Sequence, residues 1–449
     1  MQKDFFSTVK EIIKYGGATF AALVATSVYT TTDGFFIGNW VGTQGLSAMA
    51  LVYPVTMFFI ALGILFETGG SAVVSEKIAE KKLHLAEKIM YTNYFMAFII
   101  GIIVVIAGQF FIEPLLNFLA STAEEKAIVD LSVSFLRISL CGLPFLIVTY
   151  LTGAFMRCID KPMHVFYMLA ATSIINIILD ALFIIEFAWG IEGAALATVI
   201  SQILGALITF WYFKFSAQKF KTSWNIGDFG YILQEFQIGG GFAIAVVMMC
   251  FIEFFLNYTL MKYDATHLLA VATVANIILS FVALPLNGLD TGIQPLVSRT
   301  FATQKAQSMR VMRYSFCLTM IATFTIYIFL MTCTEELVRF FIADGEPITA
   351  EMIKFVRLMY VFQFFVGFYT WLSGIMAALG DEWRNIVIAL SPLAVQVPLI
   401  YFLPKFFSTE YVALAYSLQD LAEATLAFLL IKSFFRENGI SFKKIFSAN

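Results

Sequence analysis

The sequence predicts an all-α polytopic membrane protein: twelve transmembrane helices in two six-helix pseudo-symmetric lobes around a central cavity. Three observations carry this: an apolar composition, twelve apolar runs of membrane-crossing length, and a duplication of the first half in the second. Of 449 residues, 60% are hydrophobic and 13% charged. A soluble chain has about 45–50% apolar and about 25% charged residues. Charges this sparse cannot clothe a chain this long in water, which excludes a soluble enzyme. A nucleic-acid binder would need a basic surface, and the net charge is −3. Disorder is excluded as well, because it requires low hydrophobicity.

A spanning helix takes about 20 predominantly apolar residues. Such runs lie at 12–38, 44–75, 89–112, 128–153, 162–187, 191–213, 232–260, 267–297, 311–333, 353–378, 385–404 and 410–432. The longest polar connections fall at 214–231 and 334–352, too short for a soluble domain. With the N-terminus inside, the cytoplasmic loops hold 21 of the Lys and Arg residues and the outer loops six, with Arg137 within a span. That bias places both termini in the cytoplasm, in a plasma (inner) membrane. The N-terminal stretch MQKDFFSTVKEIIKYGG runs into the first apolar segment without a cleavage pattern, so span one is expected to stay in place. Five scattered cysteines (141, 158, 250, 317 and 333) read as buried free thiols, and three distant histidines form no metal motif.

Sliding the chain on itself by about 221–223 residues aligns its two halves. Glu67-Thr68-Gly69 falls on Asp290-Thr291-Gly292, Val74-Ser75 on Val297-Ser298, Gly153 on Gly374 and Asp160 on Asp381. Six spans separate the matches, an even number, so the repeats run parallel. This gives an N-terminal lobe over 1–218, a cytoplasmic linker over 219–231 and a C-terminal lobe over 232–449. Transporters rock such halves about a site near the membrane midplane.

Carboxylates inside a membrane cost about 2.5–3.5 kcal/mol each on insertion scales, so each needs a reason. They are Asp33, Glu67, Asp180, Glu253, Asp290, Asp420 and Glu423. No spanning Lys neutralises them, and Arg137 is the one Arg deep in a span. A buried carboxylate without a basic partner keeps its proton or holds a cation. Asn176 and Asp180 are four apart, on one helix face. Asp180 lies roughly 15 Å, Thr198 roughly 12 Å and Asp33 about 14 Å below glycine turns at Gly190 and Gly42. Asp33, Asn176, Asp180 and Thr198 therefore sit at one depth, where their oxygens can bind Na⁺ or share a proton. Glu67 and Asp290 hold equivalent places in the repeat, ten and nine residues from Lys77 and Arg299, and are candidates for lining a substrate cavity. Glu253 and Asn257, four apart in span seven, and Asp420 and Glu423 in span twelve form a possible second site.

Thr32-Asp33-Gly34-Phe35-Phe36-Ile37-Gly38 resembles the V-D-x-x-F-I-G element of multidrug and toxic compound extrusion (MATE) transporters. Asn176-Ile177-Ile178-Leu179-Asp180 with Gly190-Ile191-Glu192-Gly193-Ala194-Ala195-Leu196-Ala197-Thr198 resembles that family's signature of spans five and six. Gly288-Leu289-Asp290-Thr291-Gly292-Ile293-Gln294-Pro295-Leu296 resembles its G-x-x-x-G-x-x-P-L stretch. The resemblance covers 12–435. It implies an antiporter of the multidrug/oligosaccharidyl-lipid/polysaccharide exporter superfamily that exports small organic, amphipathic cationic compounds in exchange for H⁺ or Na⁺. It also implies a cation site at Asp33, Asn176, Asp180 and Thr198. Family members often carry a proline early in span one; this chain has Gly16-Gly17-Ala18.

No cofactor beyond the coupling ion is expected. The partners are a small-molecule substrate and the bilayer, with no nucleic acid, and a monomer is the expected state. The alternative within the superfamily is a flippase for a lipid-linked sugar or cell-wall precursor. It generally needs a basic cavity, whereas the candidates here are acidic. A membrane-embedded enzyme would need a metal or nucleophile constellation that the scattered histidines do not supply. A channel fits the duplicated halves less well than alternating access does.

Overall fold

The computed structural model describes residues 2–159, 161–216, 229–303 and 305–437. Residues 219–228 of the expected linker lie outside them, as does the side chain of Asp290. Fifteen α-helices follow one another among the described residues. They are α1 (Gln2–Phe36), α2 (Thr43–Ala79), α3 (Leu83–Asn117), α4 (Ala123–Ser139), α5 (Leu143–Cys158), α6 (Pro162–Asp180), α7 (Gly190–Ser216) and α8 (Ile232–Lys262). After them come α9 (Thr266–Thr303), α10 (Lys305–Thr332), α11 (Thr334–Phe341), α12 (Ala350–Tyr360), α13 (Phe365–Ala378), α14 (Glu382–Phe406) and α15 (Leu414–Glu437). Eleven segments among the described residues are long and apolar enough to cross a membrane, from Thr43–Ala79 to Thr409–Glu437. The remaining expected span, 12–38, lies in α1 and the first residues of the π-helical segment Ile37–Val41.

Two expected spans are each built from two helices. Span four breaks at the 3₁₀ turn Leu140–Gly142 between α4 and α5, and span ten breaks at 361–364 between α12 and α13. These breaks are offset as the repeat is, so the duplication is visible in the backbone as well as in the residues. Both broken spans also start alike. The Thr122 hydroxyl accepts from Glu125 N at 3.2 Å in a full capping box, and that of Thr349 accepts from Met352 N at 3.2 Å.

The chain forms two compact units. One comprises Met1–Thr31, Val274–Phe340 and Pro347–Asn449; the other comprises Thr32–Thr273 and Phe341–Glu346. They follow the two sequence halves except at α1, at α8 with the start of α9, and at the segment 341–346. In the first unit, Ile12 of α1 is buried with Ile293, Val297, Met312, Leu372 and Phe435, and Trp371 Nε1 donates to Ser315 Oγ at 2.9 Å. In the second unit, α8 runs along α2. Their backbones cross at two glycines: a β-carbon at Gly69 would stand 2.1 Å from Glu235 O, and one at Gly239 would stand 2.2 Å from Leu65 O. Small residues at a crossing let transmembrane helices approach to backbone contact.

A second tie between α8 and α2 comes from Pro54. Proline has no N–H, so the carbonyl four residues earlier, at Ala50, loses its helical partner. Asn257 Nδ2 donates to Ala50 O at 2.6 Å, restoring in the membrane what the proline removed. Asn257 therefore has a structural task in the second unit, whereas Asp420 and Glu423 belong to the first. Asn257→Leu is expected to destabilise the protein by about 1–3 kcal/mol, because it strands a buried carbonyl. The same substitution on a Pro54→Ala background should cost less, since the helix then satisfies its own carbonyl. Thermal melts of the four proteins check this, and strictly additive losses would refute it.

All five cysteines are free. Only Cys250 is buried, while Cys141 and Cys317 are exposed, which corrects the expectation of uniform burial.

Candidate functional site

Asp33 lies in the last turn of α1, and four residues later the helix widens into the π-helical segment Ile37–Val41. Asp180 ends α6 and is followed at once by a second π segment, Ala181–Glu186. The two π segments touch each other, and α6 packs along α7. Such π turns are uncommon and gather at functional sites, because the extra residue rotates the preceding side chains off the regular helical register. Each acid is thus aimed by a local departure from the α-helix.

The sharp turns the sequence reading required are present. Gly42 has φ +91° and Gly190 φ +58°, values that L side chains rarely adopt. The π segment that follows α1 is further held by the segment 341–346. A β-carbon at Gly38 would stand 1.8 Å from Phe341 O. The Glu346 carboxylate accepts from Thr43 N at 3.2 Å with both oxygens. A negative charge at the N-terminus of α2 also suits the helix dipole.

Asp33, Asn176, Asp180 and Thr198 are all buried, with exposures of 8%, 1%, 0% and 7%. Asp33 and Asp180 act on each other electrostatically. Five of the cluster's oxygens are buried without a hydrogen-bond partner: Asp33 Oδ1, Asn176 Oδ1, both of Asp180, and Thr198 Oγ1. The Asn176 amide nitrogen shares that condition. Each such group costs about 1–3 kcal/mol, and structural polar clusters satisfy one another instead. Hard cations are bound through oxygen, about six ligands at a time, and oxygen is the donor these side chains carry. The same oxygens fit a shared proton, because two close carboxylates do not both ionise cheaply. Gln202, one turn beyond Thr198 on α7, also has an unpartnered buried Oε1, directed at Gly142 in the break of span four. Its position four residues after Thr198 puts it on the same helix face, a spacing visible in the sequence.

Glu67 has a basic partner from just beyond span four. Arg157 Nη2 donates to its Oε1, forming an ion pair within the second unit. Arg157 lies four residues beyond the expected end of span four, and its side chain reaches back along α5 to α2. Arg137 pairs with Glu113 at 2.7 Å. In the first unit, Asp420 and Glu423 are buried and repel each other. Tyr369 and Gln419 are within hydrogen-bonding reach of Glu423, and Gln396 Nε2 donates to Gln419 Oε1 at 3.2 Å. Glu253, by contrast, is only partly buried on α8 in the second unit. The four residues of the possible second site are therefore divided between the units.

Comparison with known proteins gives concordant findings. The family described as MatE matches residues 18–182 and 242–402, once in each half. The multidrug export protein MepA of Staphylococcus aureus is 24% identical over 417 residues, covering 90% of each chain. Among solved structures, an inward-facing multidrug resistance MATE family transporter of the MOP superfamily superposes with a TM-score of 0.81 at 18% identity, covering 93% of this chain and 98% of the other. A MOP superfamily transporter from Pyrococcus furiosus gives 0.77 at 18% identity, covering 97% of each.

Proposed function

We propose, for a chain that belongs to the MatE family, that it exports small amphipathic organic cations in exchange for H⁺ or Na⁺ by alternating access. As a member of that family it is a multi-pass membrane transporter and not an enzyme. The observation that carries the coupling half of the proposal is the cluster of buried, unpartnered oxygens on Asp33, Asn176, Asp180 and Thr198. An ion there offsets one of the two carboxylate charges that otherwise repel, so its arrival and departure change the energy of the site by several kcal/mol. That is the kind of differential interaction needed to bias two conformations. The name of the S. aureus relative, multidrug export protein, supports the substrate half.

In this reading Glu67 and Asp290 meet the cationic substrate, which competes with Arg157 for the Glu67 carboxylate. Asp420 and Glu423, with Tyr369 and Gln419, serve as a second ion or proton site. The protein works as a monomer in the plasma membrane with both termini cytoplasmic.

The test uses purified protein in liposomes with ethidium as substrate and a proton or a sodium gradient imposed separately. Movement driven by one gradient establishes the antiporter and names its ion, and Glu67→Gln should slow ethidium more than a neutral dye. No movement under either gradient would overturn the proposal, and a lipid-linked substrate would then be tried in a flippase assay.

A further inference from the structure

Away from the Asp33 cluster, the second unit buries another acid. Glu235 lies in the first turn of α8 and is 2% exposed; Asn93 of α3 is 1% exposed. Asn93 Nδ2 donates to Glu235 Oε1 at 2.8 Å. The two remaining oxygens of the pair, Glu235 Oε2 and Asn93 Oδ1, are buried without a partner. Both are acceptors, so neither can satisfy the other while Glu235 is ionised.

The surroundings fix this arrangement. The Gly69 backbone presses on the Glu235 backbone, and a β-carbon at Gly70 would stand 3.1 Å from Asn93 Nδ2. Phe66 and Phe236 close the neighbouring space with ring centroids 5.6 Å apart. Charged and titratable groups on the packed helices are engaged elsewhere. On α2, Glu67 pairs with Arg157 and Lys77 with Glu76 and Glu80. On α3, Glu87 acts on Tyr91, and the Tyr94 hydroxyl donates to Thr152 Oγ1 at 3.0 Å. On the α8 side, Tyr231 receives Lys77 over its ring. Among the described residues, Asn93 is the one polar side chain acting on Glu235.

We propose that Glu235 and Asn93 form a proton-binding site in which the acid donates Oε2–H to Asn93 Oδ1 and closes a two-bond ring with the amide. One proton satisfies both orphaned acceptors and removes a buried charge. A metal cation is a poor fit, since two free oxygens fall far short of the about six that a hard ion takes. Binding the proton latches α3 to α8 at the end of α8 where it crosses α2, and losing it leaves a charge with nothing to pair. The site is independent of the antiport reading, because it needs neither substrate nor the Asp33 cluster.

Infrared difference spectra of the full-length protein in liposomes, recorded against pH, test it directly. Wild type should show a protonated-carboxyl C=O band that Glu235→Gln lacks and that Asp33→Asn/Asp180→Asn retains. Asn93→Ala keeps the acid but opens the ring, so the band should shift. Unchanged spectra in Glu235→Gln would overturn the proposal. So would a band lost in Glu235→Gln but unmoved in Asn93→Ala, since the proton would then not be shared with the amide.

Discussion

Asp33→Asn and Asp180→Asn are each expected to reduce ion-driven export by at least about tenfold while leaving the protein folded and somewhat more stable. Asparagine keeps the shape of the acid but has no charge with which to hold Na⁺ and no proton to take up and release. A charge-assisted contact is worth about 1.5–3 kcal/mol, and each 1.4 kcal/mol or so is about tenfold in rate. Stability should rise because Asp33 and Asp180 repel each other across a buried space, and either substitution removes that repulsion. Sites that store such conflict commonly trade stability for function. The double variant should be no slower than the worse single, since both carboxylates serve one ion and groups acting as a unit are not additive. Transport in liposomes and thermal melts of the three variants check this. Full transport in either single variant would remove the cluster from the coupling mechanism, and multiplicative losses would assign the two acids to separate steps.

The reason this cluster was legible in sequence is that Asp33, Asn176, Asp180 and Thr198 interrupt helices that are otherwise apolar. A polar side chain in that setting has to find water, a partner or an ion, and counting residues from Gly42 and Gly190 places all four at one depth. The same logic failed where long side chains travel. Arg157 lies four residues beyond the apolar run of span four, yet it reaches Glu67, and nothing in residue spacing records that reach. Glu235 escaped notice for a related reason: beside Gln234 and Gln237 it looks like the polar edge of a span, but it is buried. The breaks at Leu140–Gly142 and 361–364 and the two π segments were also invisible, because apolar runs report the presence of a helix and not its register. The placement of α1 and α8 with the opposite sequence halves is a packing outcome. Its one sequence trace is the glycine content of α2 and α8, and that trace gains meaning only once the partner helix is known.

That trace leads to the second large effect, which concerns Gly239, Gly240 and Gly241. Three consecutive glycines inside a helix look interchangeable, and on helix propensity alone each should be improved by alanine, by about 0.8–1.0 kcal/mol. The structure separates them. A β-carbon at Gly239 would stand 2.2 Å from Leu65 O and 3.1 Å from Gly69 N, whereas at Gly240 and Gly241 nothing lies within 4 Å. The atoms opposing Gly239 are backbone, so no rotamer change relieves the clash and α8 must move off α2. Overpacking ordinarily costs about 1–3 kcal/mol. Here it would also pull Asn257 from the Ala50 carbonyl and Glu235 from Asn93, so Gly239→Ala is expected to abolish the monodisperse folded species. Gly69→Ala should do the same from the other helix, where the opposing atom is Glu235 O at 2.1 Å. Gly240→Ala and Gly241→Ala should give wild-type elution profiles with unchanged or slightly raised melting temperatures. Size-exclusion profiles of the four variants decide the matter. A folded Gly239→Ala protein, or equal damage at all three positions of the run, would mean that backbone contact between α2 and α8 does not hold the second unit together.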